Sequence, residues 1–146
     1  WLHGWVAYHR PGDADYESTA MSLESPFVTG IAALDGVFVA CRREAAAAVP
    51  FDAQAFDGFH LYDLDFSYRA HAAGFRLAVA CDLGLVHESK GDFGADWSRY
   101  AARFRAKFPA LAAPQGSPHF YAARVPGADD VLAMQRRLAG LAASAA

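Results

Sequence analysis

Cysteine is scarce in this chain. Two in 146 residues are too few for a disulfide framework, and neither falls in a CxxC or Cys/His metal spacing. Cys41 and Cys81 stand in the apolar settings VACRR and AVACDL and read as reduced core thiols. Long apolar runs are lacking too: none approaches the roughly 20 residues of a membrane-spanning helix, and no signal-peptide pattern is present. There is no basic surplus. Thirteen Lys and Arg stand against 16 Asp and Glu, a formal charge of −3, which argues against a nucleic-acid grip. Internal repeats are absent. The chain opens on Trp1 and not on Met, and it is expected to be a piece of something longer.

What is present is apolar substance. Hydrophobic residues make up 54% of the chain, enough at this length for one domain, residues 1–146, with a real core. WVAYHR (5–10) alternates loosely and predicts a strand; PGDADYES (11–18) reads as a polar, turn-rich loop. FVTGIAALDGVFVACRRE (27–44) predicts two short strands meeting near Leu34-Asp35-Gly36, or one strand bent there. EAAAAV (44–49) predicts a short helix stopped by Pro50. Residues 61–73 predict a helix closed by Gly74. Two strands follow, at 75–81 and 83–89. A helix over 96–108 carries Trp97, Tyr100, Phe104 and Phe108 on one face. Residues 109–128 read as a Pro/Gly/Ala-rich loop, and a last helix opens at Asp129 and Asp130. The fold class is mixed α/β, without the repeated strand–helix alternation of a complete doubly wound sheet.

The chemistry concentrates in GFHLYDLDFSYRAHAAGFRL, residues 58–77, where Asp63 and Asp65 flank one leucine. Three readings stand. In extended chain the two carboxylates point the same way and could chelate a hard cation. In a helix the same spacing turns them about 200° apart, and the residues after Asp65 look helical. As plain helix-start residues, Asp63 would be the N-cap and Asp65 would lie in the first turn, both favoured by the macrodipole. As functional residues, they stand beside Phe59, His60 and Tyr62, a polar–aromatic cluster suited to an amphipathic ring such as a sugar. His87 ends the apolar LGLVH before a glycine-bearing loop, where it could serve as a metal ligand or phosphate partner, or be merely structural.

Together these segments resemble the C-terminal part of a family 2 glycosyltransferase of the GT-A fold, in the glycosyltransferase-like branch with an LDG strand and an HxYDxD segment. The wider family carries acidic–Asp–x–Asp–Leu–x–x–Arg, then a helix, then Gly–aromatic–basic, then a strand ending in His. The counterparts here are Tyr62-Asp63-Leu64-Asp65-Phe66-Ser67-Tyr68-Arg69, Gly74-Phe75-Arg76 and Val86-His87, with LDGVFVACRRE upstream. The resemblance covers roughly residues 27 to 108. It implies an incomplete nucleotide-diphospho-sugar transferase fold, a mixed sheet with flanking helices whose N-terminal nucleotide-binding half is missing.

The function so implied is inverting, hexosyltransferase-like transfer from a nucleotide-diphosphate sugar to a glycan or other hydroxyl acceptor, of the kind that builds cell-surface polysaccharide. Asp63 would be the general base, with its pKa held low by the macrodipole. Asp65 and Arg69 would support it, and Asp35, His60 and Tyr62 would line the acceptor side. His87 would complete a divalent-metal site for Mn²⁺ or Mg²⁺ in the complete enzyme, and Lys90 and Trp97 would lie in a donor lid. The location implied is cytoplasmic, with membrane association of a longer parent left open.

Two features depart from the pattern. Tyr62 stands where the wider family has an acidic residue. The donor half with its metal-binding Asp-x-Asp is missing; Asp13-Ala14-Asp15 has that spacing but lies in a Pro-Gly loop. The chain alone is therefore expected neither to bind nucleotide sugar tightly nor to turn over. A face left open where another half would pack makes a homo-oligomer plausible. Two rival readings remain: a non-catalytic carbohydrate- or protein-interaction module using aromatics such as Trp1, Trp5, Tyr8, Trp97 and Tyr121, and a metal-dependent hydrolase built on Asp63, Asp65 and His87.

Overall fold

The computed structural model describes residues 3–21, 27–89, 91–111 and 120–144. Contacts divide the chain into two compact units. One, the sheet unit, comprises Trp1–Val28, Ala78–Lys90 and Pro114–Ala146; the other, the helical unit, comprises Thr29–Leu77 and Gly91–Ala113.

The sheet unit is built on β1 (Gly4–Tyr8), β2 (Tyr16–Met21), β5 (Val86–His87) and β6 (Phe120–Val125), ordered β5-β1-β2-β6. β1 runs antiparallel to β2, with Trp5 opposite Ala20 and Ala7 opposite Ser18. β6 is antiparallel to β2 and β5 is parallel to β1, so the sheet is mixed. Trp5, Val6 and Ala7 are all buried, as a central strand covered on both faces requires. On β2 only Ser18 and Ala20 are buried, so this strand shows one core face and one half-open face. Helix α4 (Ala128–Ser144) opens with Asp129 and Asp130 in its first turn, favourable at the positive end of the helix. It packs on β2 and β6 and buries Val131 completely.

The helical unit holds α1 (Arg43–Ala48), α2 (Tyr62–Ala72) and α3 (Ala95–Lys107). α2 serves two clusters from opposite sides. Leu64 and Tyr68 pack against Phe56, Leu61, Tyr100, Ala101 and Phe104, joining α2 to α3. Phe66 and Ala70 join Val49 and Leu77 in the second cluster, with Ile31, Leu34 and Phe75 against it. The end of α2 is fixed by its glycine. Gly74 takes φ of 90°, its N–H donates to the His71 carbonyl at 2.9 Å, and the Phe75 N–H reaches back to Ala70 at 3.0 Å. That double bond is a Schellman stop, which a side chain at Gly74 would strain. β3 (Phe27–Ile31) and β4 (Leu77–Ala80) pair in a separate two-stranded sheet.

The chain is thus mixed α/β with a mixed sheet and flanking helices. Three local expectations are corrected. Residues 27–44 give one strand that ends at Ile31, neither two strands meeting near Leu34-Asp35-Gly36 nor one bent there, and the VFVAC segment after it is exposed irregular chain. The 109–128 stretch, expected to be all loop, contributes β6. Of the two cysteines only Cys81 is buried; Cys41 is exposed. No described helix is long and apolar enough to cross a membrane.

Candidate functional site

The start of α2 has an unusual construction. Its N-cap is Leu61, a left-handed residue at φ 61° with no side chain able to cap. Asp63 is therefore inside the first turn and is not the N-cap. Its carboxylate also reaches a chain segment 27 residues earlier, where Oδ2 accepts the Gly36 N–H at 2.6 Å. Gly36 has to be glycine for this approach: a Cβ there would lie 2.8 Å from the Asp63 Cβ and 2.9 Å from Oδ2. One turn further on, Ser67 Oγ accepts the Leu34 N–H at 2.9 Å and donates to the Asp63 carbonyl at 2.7 Å. Asp35, between those two amides, is exposed and accepts the Val37 N–H at 3.0 Å, which shapes the turn.

This setting reverses an expectation. The low pKa foreseen for Asp63 from the macrodipole does not hold: burial pushes its carboxyl above the ordinary value. The Leu64, Gly36 and Asp63 N–H groups work against that, and the nearby Asp35 charge adds to it.

Asp65 is a different kind of residue. It is 0% exposed, and both its oxygens are occupied. Arg69, one turn on, reaches Oδ2 through Nε at 2.8 Å and through a terminal nitrogen at 2.7 Å. Lys107 of α3 reaches Oδ1 at 2.6 Å. The same ammonium holds Asp52 at 2.7 Å, and Arg69 also donates to the Pro50 carbonyl at 2.7 Å. Asp65 is therefore the buried knot that ties α2 to α3 and to the chain around Pro50. Burial works against the Lys107 charge, but its bonds to Asp52 and Asp65 prevail and its pKa is raised. The Asp52 carboxyl, hydrogen-bonded to Lys107, falls to about 2.

Aromatic rings surround the mouth of α2. Tyr62 has Phe51 edge-on at 5.9 Å and Phe59 at 6.4 Å. His60 lies 5.5 Å from Phe59 and 6.3 Å from Tyr100, half-buried between them. Phe59 is 75% exposed and Phe51 58%, so two large rings beside Tyr62 face solvent. Trp97 packs on the Phe56–Phe104 cluster with Phe93 edge-on at 5.5 Å. Lys90 lies outside the described residues, as do Trp1 and the side chain of Tyr121.

His87 belongs to the sheet unit and Asp63 to the helical unit, and each has its own local partners. The His87 Nδ1 sits against the Ser89 main chain, on its carbonyl oxygen and 3.2 Å from its nitrogen. Nε2 is the nitrogen this leaves for a metal or phosphate. Among the described residues no three His, Cys, Asp or Glu side chains gather as a metal site. Asp13 and Asp15 line a cavity of about 170 Å³ in the sheet unit with Arg10, Ala14, Glu17 and Arg124. There Asp13 accepts the Arg10 N–H at 3.0 Å, closing its own turn.

Gly36, Ser67, Lys107 and Asp52 were not singled out from sequence. The four-residue spacings Asp63–Ser67 and Asp65–Arg69 were the available signal, since both place side chains on one helical face; partners 27 to 55 residues away leave no local trace. No family model, no curated protein and no solved structure matches the chain.

Proposed function

We propose that this chain supplies the acceptor side of an inverting glycosyl transfer of the family 2, GT-A kind, with Asp63 as the general base. The acceptor hydroxyl loses its proton to Asp63 Oδ1 as its oxygen attacks the anomeric carbon of a nucleotide-diphosphate sugar. The bond from that carbon to the diphosphate breaks, and the leaving group takes the electron pair. Tyr62, His60 and the exposed Phe51 and Phe59 give the acceptor ring apolar edges to lie on. A divalent metal belongs to this reading as charge neutralisation at the departing diphosphate. Among the described residues no set of three His, Cys, Asp or Glu side chains gathers to hold it.

The single observation that carries the reading is the state of Asp63. Oδ2 is held by the Gly36 amide at 2.6 Å, and burial raises the proton affinity of the group against its amide donors. A base fixed in place with an elevated pKa is what proton abstraction near neutral pH needs. Asp65, with both oxygens in ion pairs, has no such capacity.

The test is transfer from a panel of nucleotide-diphosphate sugars by the full-length polypeptide that carries this chain, with and without Asp63→Asn. The expected result is a fall in kcat of orders of magnitude with folding kept. Transfer unchanged within a factor of about two would remove Asp63 from the reaction. A non-catalytic carbohydrate-binding module is the second reading, and the exposure of Phe59 and Phe51 favours it. It expects glycan binding that survives Asp63→Asn and fails on Phe59→Ala, with no transfer under any condition.

A further inference from the structure

We propose that Ser67 and the Gly36 amide are positioning groups for the Asp63 carboxylate: Ser67 latches the 34–36 segment to α2, and the latched segment holds Asp63 Oδ2 through the Gly36 N–H. The assignment of a base rests on the reading above; the latch itself does not.

The argument begins with repeat distances. Residues four apart on a helix are separated by about 6 Å of rise, and a two-residue step of chain spans up to about 6.6 Å when extended. Asp63 and Ser67 are four apart on α2, and Leu34 and Gly36 are two apart on the segment. One helical turn can therefore address alternate amides: Ser67 Oγ takes the Leu34 N–H at 2.9 Å and Asp63 Oδ2 takes the Gly36 N–H at 2.6 Å. Ser67 is only 2% exposed, so water does not replace its bond without opening the helix–segment contact. Its single proton goes to the Asp63 carbonyl at 2.7 Å, which leaves the oxygen lone pairs directed to Leu34. Leu34 is further anchored by its side chain in the Val49–Phe66–Leu77 cluster. Asp35 closes the far side of the turn onto Val37 at 3.0 Å. The segment is thus fixed before, between and after the two amides.

The consequence is local and chemical. A carboxylate that loses an N–H donor holds its proton more tightly. Without the Ser67 bond the Leu34 side chain still anchors the segment, but its main-chain tie to α2 is lost and the Gly36 N–H is held less closely to Asp63. Of the charged groups nearby, Asp35 on the segment raises the Asp63 proton affinity. On α2, Asp65 and Arg69 are engaged with each other and with Lys107 and Pro50.

The experiment is a pH titration by NMR on the whole chain, following the Asp63 side-chain carboxyl carbon and the Gly36 amide. In the wild type the Gly36 amide shift is expected to move with the same midpoint as the Asp63 carboxyl, which requires no variant to fold. In Ser67→Ala the Asp63 midpoint moves upward and Gly36 amide exchange speeds up by about tenfold or more, as loss of a charge-assisted hydrogen bond implies. Ser67→Thr, which keeps the hydroxyl, restores both. A Gly36 amide that stays flat through the Asp63 titration overturns the proposal, as does Ser67→Ala with an unmoved midpoint. If the midpoint moves but the transfer rate does not, the latch stands and the base assignment falls.

Discussion

Lys107→Met isolates the buried ion knot. Methionine keeps most of the stem that lies against Phe56 and Phe108, whose ring centroids are 5.4 Å and 5.5 Å from the ammonium, and removes only the charge. Asp65 Oδ1 then has no donor while the carboxylate stays 0% exposed. Stranding a buried, charged acceptor costs upward of about 1–3 kcal/mol, and breaking a buried pair outright costs about 3–5 kcal/mol. Arg69 still serves Oδ2 through two nitrogens, so the lower part applies, about 2–3 kcal/mol. With a total stability of about 5–15 kcal/mol, that is a large share. At a urea slope of about 1–3 kcal/mol/M it lowers the midpoint by roughly 0.7–3 M. Urea unfolding supplies the midpoint, and hydrogen exchange at α2 and α3 amides shows that the loss falls in the helical unit. The control is Arg103→Met, which breaks an ion pair of 2.8 Å to Asp57 between side chains 42% and 61% exposed; solvent screens such a surface pair, and its loss should move the midpoint little. If both variants shift the midpoint by the same small amount, burial is not what gives the knot its strength.

Asp63 gives a pH signature of stability. Its folded pKa is raised, so the folded state binds that proton more tightly than the unfolded chain. The stabilisation this gives is complete below the ordinary aspartate value and is lost as pH rises through the folded value; Asp63→Asn, followed by denaturant titration at several pH values, should flatten this fall and leave neutral-pH stability equal or higher. Under the proposed function the transfer rate falls as pH drops through the same raised value, and an acid limb at the ordinary aspartate position would argue against Asp63 as base. Asp52 has the opposite sign. With its carboxyl lowered to about 2, it stabilises above the ordinary value and loses that effect as pH falls through about 2, so Asp52→Asn should flatten the last acid limb of a circular-dichroism titration. In the sheet unit, Gln135 Nε2 is buried with no partner among the described residues; Gln135→Met should raise stability by about 1 kcal/mol, and a comparable loss in thermal unfolding would mean the amide has a partner.

The helices were legible because each carries both a period and punctuation. Pro50 follows the end of α1, Gly74 closes α2, and Asp129 with Asp130 marks α4, and all three signals are local. β6 was not legible. FYAARV sits in a stretch without period, and it is a strand because β2, about a hundred residues earlier, offers it a ladder from Tyr16–Val125 to Met21–Phe120. The same pairing draws Tyr16, Glu17 and Ser18 into β2 out of what reads as polar loop. VFVAC errs in the other direction. Its β-branched residues read as strand, but strand propensity expresses fit to a half-buried surface, and residues 37–41 are exposed. In the site, the paired carboxylates were visible and their division of labour was not. Asp65 could have paired with Arg69 or left it to Asp63, and the decision came from Lys107 and Asp52, 42 and 55 residues apart from their partners along the chain.

That division explains how one short helix start can hold two aspartates of opposite character. The macrodipole acts on both, since both lie in the first turn. What separates them is the charge of the donors each receives: cationic at Asp65, neutral at Asp63. Asp65, deeper, is met by an arginine and a lysine and ties α2 to α3. Asp63, in a partly buried place, is met by neutral amides and by a second carboxylate at Asp35, so desolvation outweighs its hydrogen bonds. A helix dipole contributes typically 0.3–1 kcal/mol at a surface site, too little to offset burial without a cation. Moving a cation into reach of Asp63, or taking both from Asp65, would exchange their roles. The absence of a positive charge within the Gly36–Asp63 contact is therefore what leaves a carboxyl able to take up a proton at the head of α2, while its neighbour two residues on holds the unit together.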